Sequence, residues 1–226
     1  MKISARQYLK IINLKKVDST NTYATKLAQK GAQEITVVTA VEQTEGRGRL
    51  GRRWVSPKDK GIYASFILKP PNPIEDLYYL PLTMSLAVAR VLSKIIKSVK
   101  IKMPNDILVQ THNNLFKKVG GVLVEVKSAA KRIDFAIVGI GININSQEQD
   151  LPKTATSLYI ETKKRYNIKD LLNQLIAEVM DLYSKFKEQD FKQIFEELYR
   201  YQQKSFKKID IWKEIPKDYP QAICFL

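Results

Sequence analysis

Cysteine and histidine are almost missing: Cys224 and His112 stand alone in 226 residues. One cysteine excludes an internal disulfide and a CxxC metal site, and agrees with a reducing, cytoplasmic setting. Cys224 has no histidine near it in the chain and is a poor candidate nucleophile. One histidine, in the polar stretch His112-Asn113-Asn114, argues against a Ser-His-Asp triad or a histidine-rich metal centre. No run of about 18 apolar residues occurs, so no membrane-spanning helix is expected. Met1 to Arg6 carries charge without an apolar stretch behind it, so no secretory signal is read. A GxxxxGK[ST] phosphate loop is also missing, as are internal repeats and low-complexity tracts.

What the chain has in excess is positive charge. Thirty-eight Lys and Arg against 23 Asp and Glu leave +15. A basic surface attracts nucleic acid through its phosphates. The lysines, however, are spread along the chain and form no tail or arm, which favours a solvated surface and no DNA partner. The arginines are different: Arg47, Arg49, Arg52 and Arg53 crowd into one stretch, which suits a phosphorylated small molecule equally well. The length allows one substantial core and a small appendage.

Hydrophobic patterning predicts strands at Ile11 to Val17, Ile35 to Val41, Ile62 to Leu68, Val99 to Lys102, Ile107 to Val109, Val119 to Val126 and Ile133 to Ile144. A helix follows the N-cap candidates Asp18 to Asn21 and stops at Gly31. Leu77 to Ile96, Ile168 to Phe186 and Phe191 to Tyr201 also read as helices, and the last twenty-odd residues read as irregular. Clustered strands with separate helices predict an α+β fold with a mixed sheet.

Four segments carry candidate chemistry. In Gln43-Thr-Glu-Gly46-Arg47-Gly48-Arg49-Leu-Gly51-Arg52-Arg53-Trp54, the glycines satisfy GxGxxG. No helix can open after them, because Arg-Arg-Trp-Val-Ser-Pro57 follows, so the dinucleotide reading fails. Free backbone N–H groups interleaved with guanidinium forks do suit phosphate or carboxylate oxygens. The plainer reading is a flexible solvated loop. Lys102-Met-Pro104-Asn105-Asp106 reads first as a turn that delivers an Asn-Asp pair. Lys117-Lys118-Val-Gly120-Gly121 leads two lysines into a glycine-bearing strand, where a ligand or another backbone could lie close. Gly139-Ile-Gly141-Ile-Asn143 leaves one strand face bare enough to floor a pocket.

In this order and spacing, Ser19-Thr20-Asn21, Gly46-Arg47-Gly48-Arg49-x-Gly51-Arg52-x-Trp54, Lys102-Met-Pro104-Asn105-Asp106, Lys118-x-Gly120-Gly121-Val-Leu-x-Glu125 and Gly139-x-Gly141-x-Asn143 resemble the bacterial biotin protein ligase family. The resemblance spans about residues 11 to 145 and extends through the later helices to about 200. It implies a class II synthetase-like catalytic domain over 1–203 and the start of an SH3-like domain, truncated or divergent, over 204–226. It implies that biotin and ATP with Mg2+ form biotinoyl-AMP, from which biotin passes to a lysine of a biotin carboxyl carrier protein. The alternatives are a lipoate or octanoate ligase or transferase, and a non-catalytic relative that binds biotin or nucleic acid. From the short lead before the first strand, the DNA-binding helix-turn-helix of some relatives is not expected. No membrane partner is expected, and a homodimer is a further option.

By the same resemblance Lys118, Arg47, Arg49 and Asp106 are catalytic. Arg47 closes over carboxylate and adenylate, and Lys118 contacts the carboxyl oxygens. Asp106 orients that lysine or helps the metal. Ser19, Thr20, Asn21, Gln43, Gly46, Gly120 and Gly121 join Arg47 and Lys118 around biotin. Arg49, Arg52, Trp54, Asn105 and Asn143 take the ATP side, with Trp54 near the adenine. Met103 stands where the family usually has tryptophan.

Overall fold

The structure is a computed structural model and describes residues 9–71, 74–129, 132–201 and 223–225. In chain order come β1 (Lys10–Val17), α1 (Thr20–Gln29), β2 (Thr36–Gln43), β3 (Gly61–Leu68), α2 (Leu80–Ser93), β4 (Val99–Lys102), β5 (Asp106–Gln110), β6 (Phe116–Ala129) and β7 (Arg132–Asn143). After these lie α3 (Leu158–Thr162), α4 (Ile168–Lys187), α5 (Phe191–Leu198) and β8 (Ile223–Phe225). The strands form one mixed sheet in the order β1-β2-β3-β7-β6-β5-β4, with β8 beside β6. β1 runs parallel to β2, β8 runs parallel to β6, and the other pairs are antiparallel. This is the α+β architecture expected. The SH3-like expectation falls on 204–226, which lies outside the described residues except for Ile223–Phe225, a strand of the main sheet.

Side-chain alternation divides the sheet into two faces. On β7, Ala136, Val138, Ile140 and Ile142 enter a core that includes Leu86 of α2 and Leu175 and Val179 of α4. Phe135 and Ile137 point the other way and pack with Ala24 and Ala28 of α1. Farther along that second face come Gly139, Gly141 and Asn143, so the strand is bulky beneath α1 and bare beyond it. Every residue of β3 is buried, as expected of a strand covered on both faces.

Local signals set the helix ends. Gly31 takes φ +85 after α1, the left-handed geometry that glycine tolerates best. Asn167 caps α4 through the N–H groups of Lys169 and Asp170, and Asp190 caps α5 through Gln193. Two predicted elements shift. The helix expected from Leu77 opens as a 3-10 turn over Ile74–Tyr79, and α2 starts at Leu80 with Pro81 in its first turn. β6 is longer than its apolar run, since Phe116, Lys117 and Lys118 also pair with β5. The five-residue α3 was too short to show a period.

Arg90 ties the helical layer together by contacting Glu178 and Asp181 of α4 and Glu197 of α5. Its hydrogen bonds hold the Glu197 carboxyl below the usual range, against the opposing effect of burial.

Candidate active site

The bare end of the second face opens into a cleft of about 540 Å³. Its floor is β6 and β7, where Gly121 pairs with Gly141 and Leu123 with Gly139. The Trp54 indole lies on this floor: a Cβ added to Gly141 would stand 2.5 Å from the ring, and one on Gly121 3.6 Å from it. Any side chain at Gly139 would strike the Asn21 amide. These two close approaches account for the glycines of Gly139-x-Gly141.

A one-residue irregularity places Lys118. Ile107 pairs with Gly120, but Leu108 pairs with Lys118, so Val119 is the extra residue on β6. Strict alternation from Gly121 would put Lys118 on the helical side; the bulge sends Val119 into the core instead and turns Lys118 to the cleft. There its ammonium donates to Asp106 Oδ1 at 2.5 Å and lies 5.4 Å from the Trp54 ring centre. Thr156 N–H holds the Lys118 carbonyl at 2.8 Å.

At the other end, the start of α1 builds a chain of hydrogen bonds. The Thr20 backbone N–H and hydroxyl both reach Gln43 Oε1, at 2.8 and 3.0 Å, while Gln43 Nε2 donates to Ser56 at 2.8 Å. Ser65 Oγ lies 2.8 Å from Thr20 Oγ1 and 2.5 Å from Asn21 Oδ1. Asn21 Nδ2 donates to Glu125 Oε2 at 2.7 Å, and Arg47 Nη2 reaches the same oxygen at 2.7 Å.

The arginine segment is held rather than loose. Bridges join Gln43 to Ser56 and Arg47 to Arg53, and a short 3-10 turn spans Arg49–Gly51. Arg49 Nη1 donates to Asn105 Oδ1 at 2.6 Å, and Asn105 is buried with its amide on Val122 O. Among the described residues, six cations line the cleft (Arg47, Arg49, Arg52, Arg53, Lys102 and Lys118) against one lining carboxylate, Asp106. That field favours an anionic ligand. Among the described residues no group of three or more His, Cys, Asp or Glu is placed to hold a metal ion.

Nearly all the residues singled out in the sequence meet here. Ser19, Thr20, Asn21, Gln43, Arg47, Arg49, Arg52, Trp54, Asn105, Asp106, Lys118, Gly121 and Asn143 all line the cleft. Two of the glycines, Gly120 and Gly46, do not line it. Gly120 faces Ile107 and Ile142 in the core, on the opposite side of β6 from its neighbour Gly121. Gly46 packs against the Trp54 carbonyl and Ser56 and shapes the loop without lining the cleft. Trp54 sits on the glycine floor beside Lys118, and Asn143 spends its amide N–H on Thr156 O at 2.9 Å. Sequence reasoning missed Ser56 and Ser65, single serines in apolar surroundings without a motif, and quoted Glu125 without giving it a task.

On this mixed sheet, a glycine-floored cleft ringed by cations suits a small anionic molecule. The chain belongs to the Biotin/lipoate A/B protein ligase family, whose model matches residues 14–143. The bifunctional ligase/repressor BirA of Bacillus spizizenii is 39% identical over 137 residues, 60% of this chain and 41% of the relative. The biotin--[acetyl-CoA-carboxylase] ligase of Paracoccus denitrificans is 35% identical over 135 residues, 58% of this chain and 53% of the relative. The chain thus spans about half the length of these relatives or less. The biotin protein ligase of Aquifex aeolicus, solved in complex with biotin and ATP, superimposes with a TM-score of 0.70 at 36% identity, covering 85% of this chain and 78% of that one.

Proposed function

We propose that this chain is a biotin–protein ligase, which joins biotin to ATP as biotinoyl-AMP and passes the acyl group to a lysine of a biotin carboxyl carrier protein. The observation that carries the reading is the pairing of a glycine floor, seated under Trp54, with six cations in one cleft. Without Cβ atoms at Gly121 and Gly141, the Trp54 indole can lie against the floor strands beside Lys118. A carboxylate attacking a triphosphate needs fixed positive charge, because both partners are anions. Similarity to ligases named for biotin supports this choice of acid.

In the first step a carboxylate oxygen of biotin attacks the α-phosphorus of ATP, the bond to the β-phosphate oxygen breaks, and pyrophosphate leaves. ATP arrives as its magnesium complex, the metal carried on phosphate oxygens. Lys118, held by Asp106, neutralises charge where the two anions meet, and Arg47 approaches the carboxylate from the loop. Arg49, fixed by Asn105, and the exposed Arg52 take phosphate oxygens. Asn143 steadies the Thr156 segment behind Lys118. In the second step a neutral lysine amine of the carrier attacks the acyl carbon, AMP leaves, and the amine gives up its proton. A cleft closed to water during this interval protects the mixed anhydride from hydrolysis.

Pyrophosphate release with biotin, lipoate or octanoate, followed by mass analysis of a carrier domain, tests the proposal. Biotin-dependent release and a carrier heavier by one biotinoyl group are expected. Release with lipoate or octanoate alone would transfer the chain to the sister branch of its family, and binding without release would make it a non-catalytic relative.

A further inference from the structure

Glu125 is buried on the pocket side of β6, its side chain 6% exposed, and the proposed chemistry gives it no part. Its Oε2 accepts from Arg47 Nη2 and from Asn21 Nδ2, each at 2.7 Å. One carboxylate oxygen therefore joins the arginine loop, the start of α1 and the floor strand. The Arg47 guanidinium carries five N–H donors in a fixed plane. With Nη2 anchored, the orientation of the whole fork is set. The Arg47 side chain is 41% exposed, so the rest of the fork stays open to an incoming anion.

We propose that Glu125 is the positioning residue for Arg47: it presents the remaining guanidinium donors to the ligand's carboxylate or phosphate before that ligand arrives. A buried carboxylate left without its cation is strongly destabilised, so Arg47 keeps its bond to Glu125 and binds the ligand through its other nitrogens. The same oxygen fixes Asn21, whose Oδ1 meets Ser65, so the loop and the first turn of α1 are set by one group. The ligand side of this inference rests on the proposed function; the anchoring of Arg47 does not.

The test uses Glu125→Gln, which removes the charge at constant shape, and Glu125→Asp, which keeps the charge and shortens the reach. In the free protein, trypsin must pull Arg47 off Glu125 to cut the Arg47–Gly48 bond. Cleavage there should rise about tenfold in both variants, as expected when a charge-assisted hydrogen bond is lost, relative to cleavage elsewhere in the same sample. Biotin affinity by calorimetry should fall about tenfold, mostly as a rise in KM with a smaller change in kcat. Wild-type cleavage and affinity in Glu125→Gln would overturn the inference. A uniform rise at every cleavage site, or a lowered Tm with unchanged relative cleavage, would also overturn it by showing a merely structural role. A wild type that fails to bind biotin would count against the proposed function, and the cleavage ratio would still decide the role of Glu125.

Discussion

Lys118 donates its ammonium to Asp106 across the β5–β6 pair at 2.5 Å, and it can do so because Val119 is inserted ahead of it in β6. Strand geometry, rather than loop flexibility, aims the cation at the cleft. Lys118→Ala should therefore leave the fold intact and lower kcat for adenylate formation by about 10²- to 10³-fold, the usual loss when one fixed electrostatic group is removed from a reacting centre. Pyrophosphate release against acid concentration reads this, with Tm as the control for folding.

The glycine floor gives a second prediction. Gly141→Ala places a methyl group 2.5 Å from the Trp54 ring, so the indole must move. Overpacking of this kind costs about 1–3 kcal/mol. Thermal denaturation should show that loss, and the tryptophan emission should shift as the ring leaves the floor. Biotin binding should weaken in parallel. Gly31→Ala is the contrast: nothing lies within 4 Å of the added carbon there, only φ +85 opposes it, and ligand binding should not change.

Asn105 is buried between Arg49 and the Val122 carbonyl. Asn105→Ala removes one hold on the Arg49 fork and strands a buried acceptor, at a cost of about 1–3 kcal/mol. KM for ATP should rise more than KM for biotin, because Arg49 lies on the phosphate side of the proposed chemistry. Steady-state kinetics with each substrate varied in turn checks this.

Away from the cleft, Arg90 predicts a pH dependence. Its hydrogen bonds hold Glu197 below the ordinary carboxylate range, and for Asp181 they, with Lys185, outweigh the upward effect of burial. A depressed carboxylate adds stability above its unfolded value and loses it as pH falls through the folded one. Arg90→Met should thus lower stability by about 1–3 kcal/mol near neutral pH, and the gap should close below about pH 4. Denaturant melts across this range would show it; a gap independent of pH would assign the loss to packing alone.

Much of the fold was legible because β-branched runs such as Ile35 to Val41 and caps such as Gly31 signal their own structure locally. The cleft was legible because arginines, glycines and the Asn105-Asp106 pair are unusual in those positions. What stayed hidden depends on pairing across the sheet. Lys118 and Gly120 are two apart and would share a face on a regular strand, yet the bulge at Val119 sends one to the cleft and the other to the core. Ser65 and Glu125 sit in apolar strands with neighbours remote in sequence, and only the assembled sheet brings them to Asn21. Trp54 belongs to an aperiodic loop, so its seat on Gly141 has no local signal.

The account turns on whether the cleft makes an acyl adenylate. The direct measurement is a single turnover with biotin and ATP, followed by denaturation and mass analysis of the small molecules released. Biotinoyl-AMP and one pyrophosphate per active molecule are expected from the wild type, and from Lys118→Ala the same products about 10²- to 10³-fold more slowly. A folded wild type that binds biotin and ATP yet yields no adenylate would contradict the account.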